Sequence, residues 1–268
     1  MSKPLPLTQR LNQSLWASLV ALGCIVAVGL LQVPQLHRLS NRASTASPED
    51  LQQDVEAEKL RIEVLQNIPS FGFDNLLADW AFLNFLQYFG DEPVRAVTGY
   101  GLSPEYFEVV VEQDPHFLDA YLYLSTSGSL YAAKPERSIA LMEKGLESLS
   151  PEAPRQSYIV WRQKAIDELL FLGDAEAARQ SFEKAAEWAS THPDQESQTI
   201  AAISRRTAEF LADNPDSKSA QISAWTMVLS NVSDQRSRQI AINQVEELGG
   251  EVITTPEGTV KIRLPQTD

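Results

Sequence analysis

Three histidines, one cysteine and scattered carboxylates are the side chains with which this chain could do chemistry. His37, His116 and His192 stand far apart, and none has a second histidine or a cysteine at metal-ligand spacing. A helix-borne metal site needs two ligands one turn apart, as in HExxH, and no such pattern occurs. His116 follows Asp114-Pro115, a turn signal, and reads as a surface histidine. Cys24 lies inside an apolar run, so the polar remainder of the chain has no thiolate ligand, thiol nucleophile or disulfide. A phosphate-cradling loop needs strand, tight turn and helix in succession; Gly72, Gly99, Gly101 and Gly128 lack that context. No GxSxG nucleophile elbow is present. Acid pairs such as Glu112/Asp114 and Glu246/Glu247 read as solvated faces or caps. No catalytic residue, cofactor site or metal site is expected, and the chain reads as non-enzymatic.

Charge narrows the partners. Of 36 acidic and 22 basic side chains, the first 42 residues hold four basic ones (Lys3, Arg10, Arg38, Arg42) and no acid. The remainder therefore carries a net charge of −18. Such a surface repels phosphates, which argues against nucleic acid and against broad contact with anionic lipid heads. Basic protein partners are compatible with it.

The elements that would position any site begin with an anchor. After a short polar N-terminus at 1–14, Leu15 to Val33 reads LWASLVALGCIVAVGLLQV, with no charge. As a helix it spans about 28 Å, close to the hydrocarbon thickness. Trp16 suits one interface, and Gln32, Pro34, Gln35 and His37 mark the other end, giving an anchor over 15–36. A cleaved signal has a shorter core and a small-residue site close behind it; here Ser44-Thr45-Ala46 lies well beyond. Ala21-Leu22-Gly23-Cys24 loosely resembles a lipid-attachment box, but its order differs and the apolar run continues past the cysteine. Flanking charges are nearly balanced. The default for an N-terminal signal-anchor is N-in, which puts the rest of the chain on the extracytoplasmic or lumenal side.

A polar linker at 37–47 leads into a helical region at 48–248 and a tail at 249–268. Ser47-Pro48-Glu49-Asp50 is a helix start of hydroxyl cap, proline and acids. Leu51, Val55, Ile62 and Leu65 give that helix a narrow apolar stripe. Asp74 to Phe89 is apolar around nearly its whole circumference yet too short to span a membrane, which predicts a helix enclosed by neighbours or one with a face awaiting a partner. A loop is expected over 91–102. Helices follow from Ser103 to Asp114, from Phe117 to Ala132, and from Pro135 through Leu149. Further helices are expected at Tyr158–Leu172, Ala175–Ser190, Glu196–Ala212, Ser217–Ser230 and Asp234–Leu248. Val252-Ile253-Thr254 and Thr259 to Leu264, around Thr255-Pro256-Glu257-Gly258, predict a small β-hairpin.

Helix pairs recur every 34–40 residues or so, the period of helical solenoids. In the clearest unit, Tyr158 to Ser190, Gly173, Ala178, Phe182 and Ala185 stand as small, small, large, small. Two helices cross closely when small residues face the crossing and one aromatic fills the gap. This unit resembles a tetratricopeptide repeat, with Ala165 and Ile166 where the family usually has leucine and glycine. Trp80 and Leu83, then Phe107, Val110 and Pro115, then Met142, Lys144, Gly145 and Leu146 fit parts of weaker units. Leu77-Ala78-Asp79-Trp80, Gln87-Tyr88-Phe89-Gly90, Asp114-Pro115 and Ala120-Tyr121 resemble a group of membrane-anchored bacterial repeat proteins, and the whole chain looks like a cyanobacterial version of them. The resemblance implies a mainly α fold: an N-terminal transmembrane helix, then a right-handed tetratricopeptide-repeat-like array of antiparallel helix pairs. By fold-level analogy it implies assistance in assembling membrane complexes, including photosynthetic ones, in the plasma or thylakoid membrane.

The expected function is a membrane-anchored interaction scaffold whose partners are membrane-complex subunits. Asp79, Trp80, Asn84, Gln87, Tyr88, Tyr121 and Tyr123 are the candidate partner-binding residues. Core packing is the competing reading of the tyrosines, and turn-bridging that of the polar three. The alternatives are a structural or self-associating subunit of a membrane complex and, further off, an extracytoplasmic hydrolase.

Overall fold

A computed structural model of the chain describes residues 21–24, 26–32, 47–215, 217–231, 235–254 and 260–264. They fall into two compact units, Met1–Asp54 and Val55–Asp268. In the first unit, residues 21–24 and 26–32 are helical. Leu22, Val26, Val28, Leu30, Leu31 and Cys24 are exposed there. No helix among the described residues is long and apolar enough to cross a membrane. The rest of the expected 15–33 span lies outside the described residues, as do 1–14 and most of the linker.

Helix α1 (Pro48–Asn67) begins as the sequence demands. The Asp50 amide donates to Ser47 Oγ at 3.2 Å, and the Ser47 amide donates back to the Asp50 carboxylate at 3.1 Å. This reciprocal cap satisfies two amide donors at the helix start.

The second unit is mainly helical. After α1 come α2 (Asp74–Gly90), α3 (Glu92–Thr98), α4 (Ser103–Gln113) and α5 (Leu118–Leu124), the last continuing as a π-helical turn over Ser125–Tyr131. Then follow α6 (Pro135–Leu146) and α7 (Tyr158–Asp167), which passes into a second π-helical turn, Glu168–Leu172. Helices α8 (Ala175–Ser190), α9 (Gln195–Asp213), α10 (Lys218–Asn231) and α11 (Gln235–Glu247) precede strands β1 (Glu251–Thr254) and β2 (Val260–Arg263).

Two expectations need correcting. The stretch 91–102 is not wholly loop: proline near its start and Gly99, at φ +75°, frame the short helix α3. The helices expected at 117–132 and 158–172 each widen from α to π near their ends, as in the bond from the Ala132 amide to the Ser127 carbonyl at 3.0 Å. Periodicity is too coarse to register one added residue per turn.

The main core joins α2, α4, α5 and α6 through Phe85, Tyr106, Phe107, Val110, Tyr121, Leu124 and Met142, all buried. Helix α8 packs against both α7 and α9. Gly173 adopts the left-handed conformation at φ +67°, ending the second π turn, and the Asp174 carboxylate accepts from the Ala177 amide at 2.9 Å to start α8. The buried faces of α8 and α9 are almost entirely small: Ala178, Ser181, Ala185, Ala186 and Ala189 on one, Ser197, Ala201, Ser204 and Ala208 on the other. Short side chains let two helix axes approach closely. At the end of the chain β1 and β2 pair antiparallel, with Val252 opposite Ile262. Both pack on the cluster of Ile222, Trp225, Leu229, Ala241 and Val245 from α10 and α11. A lone two-stranded hairpin is marginal in water, and this docking stabilises it.

Candidate functional site

Helix α2 is the element on which most of the candidate residues sit. Its apolar side chains exceed what its neighbours cover. Ala78, Ala81, Phe85 and Tyr88 are buried. Leu76, Trp80 and Leu83 are 65%, 58% and 53% exposed, and Leu86 is exposed too. The helix is therefore not enclosed on all sides; one face is bare.

Helix α1 carries two stripes, because positions two apart on a helix point in nearly opposite directions. Ile62, with Val55 and Leu65, packs into the main core. Leu60 and Val64, one turn apart, lie exposed, as does Ile68 just past the end of the helix. The Tyr106 hydroxyl donates to Glu58, and Gln66 Nε2 donates to Glu108 at 3.1 Å, tying α1 to α4. Burial and the Glu58 carboxylate push the Tyr106 phenol well above its ordinary range, so it stays a donor.

Between α1 and α2 lies an open groove of about 550 Å³ lined by Leu60, Arg61, Ile62, Val64 and Leu65 on one side, Trp80 and Asn84 on the other, with Glu58 and Tyr106. A second groove of about 320 Å³ is lined by Ile68, Pro69, Phe73, Leu76, Leu77 and Trp80. Trp80 belongs to both, so the two form one apolar face across α1, the connecting turn and α2. Phe71 and Phe73 in that turn are exposed as well. Burying an exposed leucine or aromatic contributes about 1.5–3 kcal/mol each before association costs. Contiguous exposed apolar patches are uncommon on folded chains, and scattered single apolar residues are not.

The candidates separate into two groups. Asp79, Trp80 and Gln87 are exposed on the bare face of α2, and Asn84 is half-buried beside them. Asn84 Nδ2 donates to the Trp80 carbonyl at 2.6 Å, one turn back, so it bridges its own helix. Tyr88 and Tyr121 are core residues. The Tyr88 ring stacks under the buried Arg95 guanidinium at 4.1 Å, and its hydroxyl accepts from the Leu102 amide at 3.2 Å. The Tyr121 hydroxyl donates to the Pro115 carbonyl at 2.8 Å and fills the space beside Gly145, where an added methyl would collide with it. Tyr123 is half-exposed and packs edge-on against Phe82 at 5.3 Å. The sequence points to the Leu51–Leu65 stripe of α1 as its interacting side, whereas the exposed side carries Leu60 and Val64, followed by Ile68 at the same four-residue spacing.

A second polar feature lies inside the fold, where the two π turns meet. Asp167 is fully buried and accepts from Ser125 Oγ at 2.6 Å and Ser129 Oγ at 2.5 Å. Burial raises its carboxyl to about 6 despite those hydrogen bonds. Next to it the buried Lys164 bridges Glu168 and reaches Glu143 at 3.2 Å. Ser181 Oγ lies 3.2 Å from the Lys164 ammonium, and Glu168 Oε2 is buried with no hydrogen-bond partner. Among the described residues no group of three His, Cys, Asp or Glu side chains could hold a metal ion.

Compared with known proteins, the chain matches no family model, no curated protein and no solved structure.

Proposed function

We propose that this chain is a non-enzymatic interaction scaffold, tethered to a membrane by its apolar segment at 15–33, that helps assemble or stabilise a membrane protein complex. The single observation that carries this reading is the bare apolar face around Trp80, presented by an otherwise well-packed helical unit. A water-soluble domain alone in solution has no use for Leu76, Trp80 and Leu83 in the open; a partner that covers them does. A tether raises the domain's effective concentration near membrane partners.

The helices form, on this reading, a tetratricopeptide-repeat-like array. Support comes from α7 and α8, where Gly173 reverses the chain and Ala165, Ala178, Phe182 and Ala185 are all buried. The extracytoplasmic or lumenal side follows from the default insertion of an N-terminal signal-anchor.

The test is affinity purification of the full-length protein from mild-detergent membranes of cells that make it, beside a Leu76→Ser/Leu83→Ser variant. A partner recovered stoichiometrically with wild type and lost with the variant is the expected outcome. Wild type that recovers no stoichiometric partner would sink the scaffold reading.

A further inference from the structure

We propose that the Trp80 face receives a basic amphipathic helix from another protein, its apolar side lying across Trp80 and its Lys or Arg side chains meeting the acids around it. The proposal deepens the scaffold reading and rests on it. Charge selects the occupant. From Ile62 to Val94 the chain holds five acids (Glu63, Asp74, Asp79, Asp91, Glu92) and no Lys, Arg or His. All five are exposed. Among the described residues none of them pairs with a cation, whereas nearby Glu58 and Glu108 are taken up by Arg61 at 2.9 Å and Arg137 at 2.7 Å. Asp79 sits on α2 three residues after Leu76 and four before Leu83, which puts it within the apolar stripe itself.

Three occupants could cover such a face. A second copy docking about a two-fold axis sets these acids against themselves, which opposes self-association. An anionic lipid surface meets the same repulsion. A helix with an apolar stripe flanked by cations meets apolar grooves on both sides of Trp80. It also meets the exposed carboxylates of Glu63, Asp74 and Asp79 on the same two helices, while Arg61, the cation lining the larger groove, is already paired with Glu58 at 2.9 Å. The helix-in-groove mode reads side chains one and two turns apart, and two grooves meeting at one tryptophan suit it.

The experiment uses the full-length protein in zwitterionic nanodiscs. The probe is a labelled synthetic peptide of about 18 residues, five helical turns, with leucines at i, i+4 and i+7 spacing and flanking lysines. Its twin has glutamate for every lysine. Fluorescence anisotropy should show the lysine peptide binding at least about tenfold more tightly than the twin. That preference should shrink as salt rises. Leu76→Ser/Leu83→Ser should abolish binding of the lysine peptide. Asp74→Asn/Asp79→Asn should lower its affinity and narrow the preference, with the helical circular dichroism of both variants unchanged.

Equal affinity for the two peptides, or lysine-peptide binding that survives Leu76→Ser/Leu83→Ser, overturns the proposal. So does a concentration-dependent dimer in sedimentation that the same variant dissolves, since the occupant is then a second copy. A blue shift of tryptophan emission in anionic nanodiscs that Trp80→Phe removes assigns the face to lipid, with the same consequence. If one of these occurs while a partner still co-purifies through the Trp80 face, the basic helix fails and the scaffold reading stands; if no partner co-purifies either, both fail.

Discussion

Helices α2 and α8 are nearly equal in length, 17 and 16 residues, and opposite in surface. Helix α8 turns alanines, serines and Phe182 inward and clothes its outer side in charge. Arg179 pairs with Glu176 at 2.6 Å and Glu183 at 2.5 Å, and Lys184 pairs with Glu187 at 2.8 Å. Exposed pairs of this kind add little stability, but they make a side that water satisfies. Helix α2 carries bulky apolar residues all round, buries Ala78, Ala81, Phe85 and Tyr88, and leaves Leu76, Trp80, Leu83 and Leu86 in the open. Hydrophobicity is spent on the fold in one helix and on both fold and surface in the other. The contrast separates apolar residues that hold the chain together from apolar residues the fold leaves in the open.

Substitutions can break that contrast or sharpen it. Phe182 is 1% exposed and fills the α7–α8–α9 crossing, so Phe182→Ala should cost about 3–5 kcal/mol in urea unfolding. A loss below about 1 kcal/mol would mean the small-residue seam collapses around the gap. The buried Asp167 should make its mark through pH. Its carboxyl is raised to about 6 in the fold, above its unfolded value, so its ionisation favours unfolding. Its contribution is most favourable at and below pH 4 and declines as pH rises through 6, by up to about 3 kcal/mol. Asp167→Asn should flatten that part of the stability–pH curve relative to wild type; superimposable slopes would remove the carboxyl from the account. Asp194 caps α9 by accepting from the Ser197 amide at 2.9 Å, and Asp194→Ala should lower the urea midpoint, by less than Phe182→Ala does. Smallest of all, Leu76→Ser/Leu83→Ser should change stability by no more than about 0.5 kcal/mol per site. A drop of several kcal/mol there would show that the bare face serves the fold after all.

Legibility in the sequence followed the locality of the signals. The limits of α8 were readable to the residue, because Gly173 and Asp174 act on the backbone within one turn of where they stand. The cap of α1 at Ser47 and the terminal hairpin were readable for the same reason. Helix α3 was not, since seven residues carry too little periodicity to stand out from a loop. Within the candidate site, Trp80, Asp79 and Gln87 were legible as unusual residues on an unusual helix. Tyr88 and Tyr121 carry the same side-chain chemistry as Tyr123, and nothing local distinguishes an aromatic whose hydroxyl finds Leu102 or Pro115 inside the core from one that stays half outside.

By itself the amino-acid order determined what depends on near neighbours: where helices start and stop, an uncharged run at 15–33, a strongly acidic remainder, and the lack of any motif for metal, phosphate or nucleophilic chemistry. Tertiary structure alone decided which apolar residues are surplus. Leu83 and Phe85 on α2 are two positions apart and both apolar, yet one lies in the open and the other in the core. Burial depends on which elements arrive on each side of a helix, and for α2, apolar nearly all round, that is set by the packing of α4 rather than by anything written within α2.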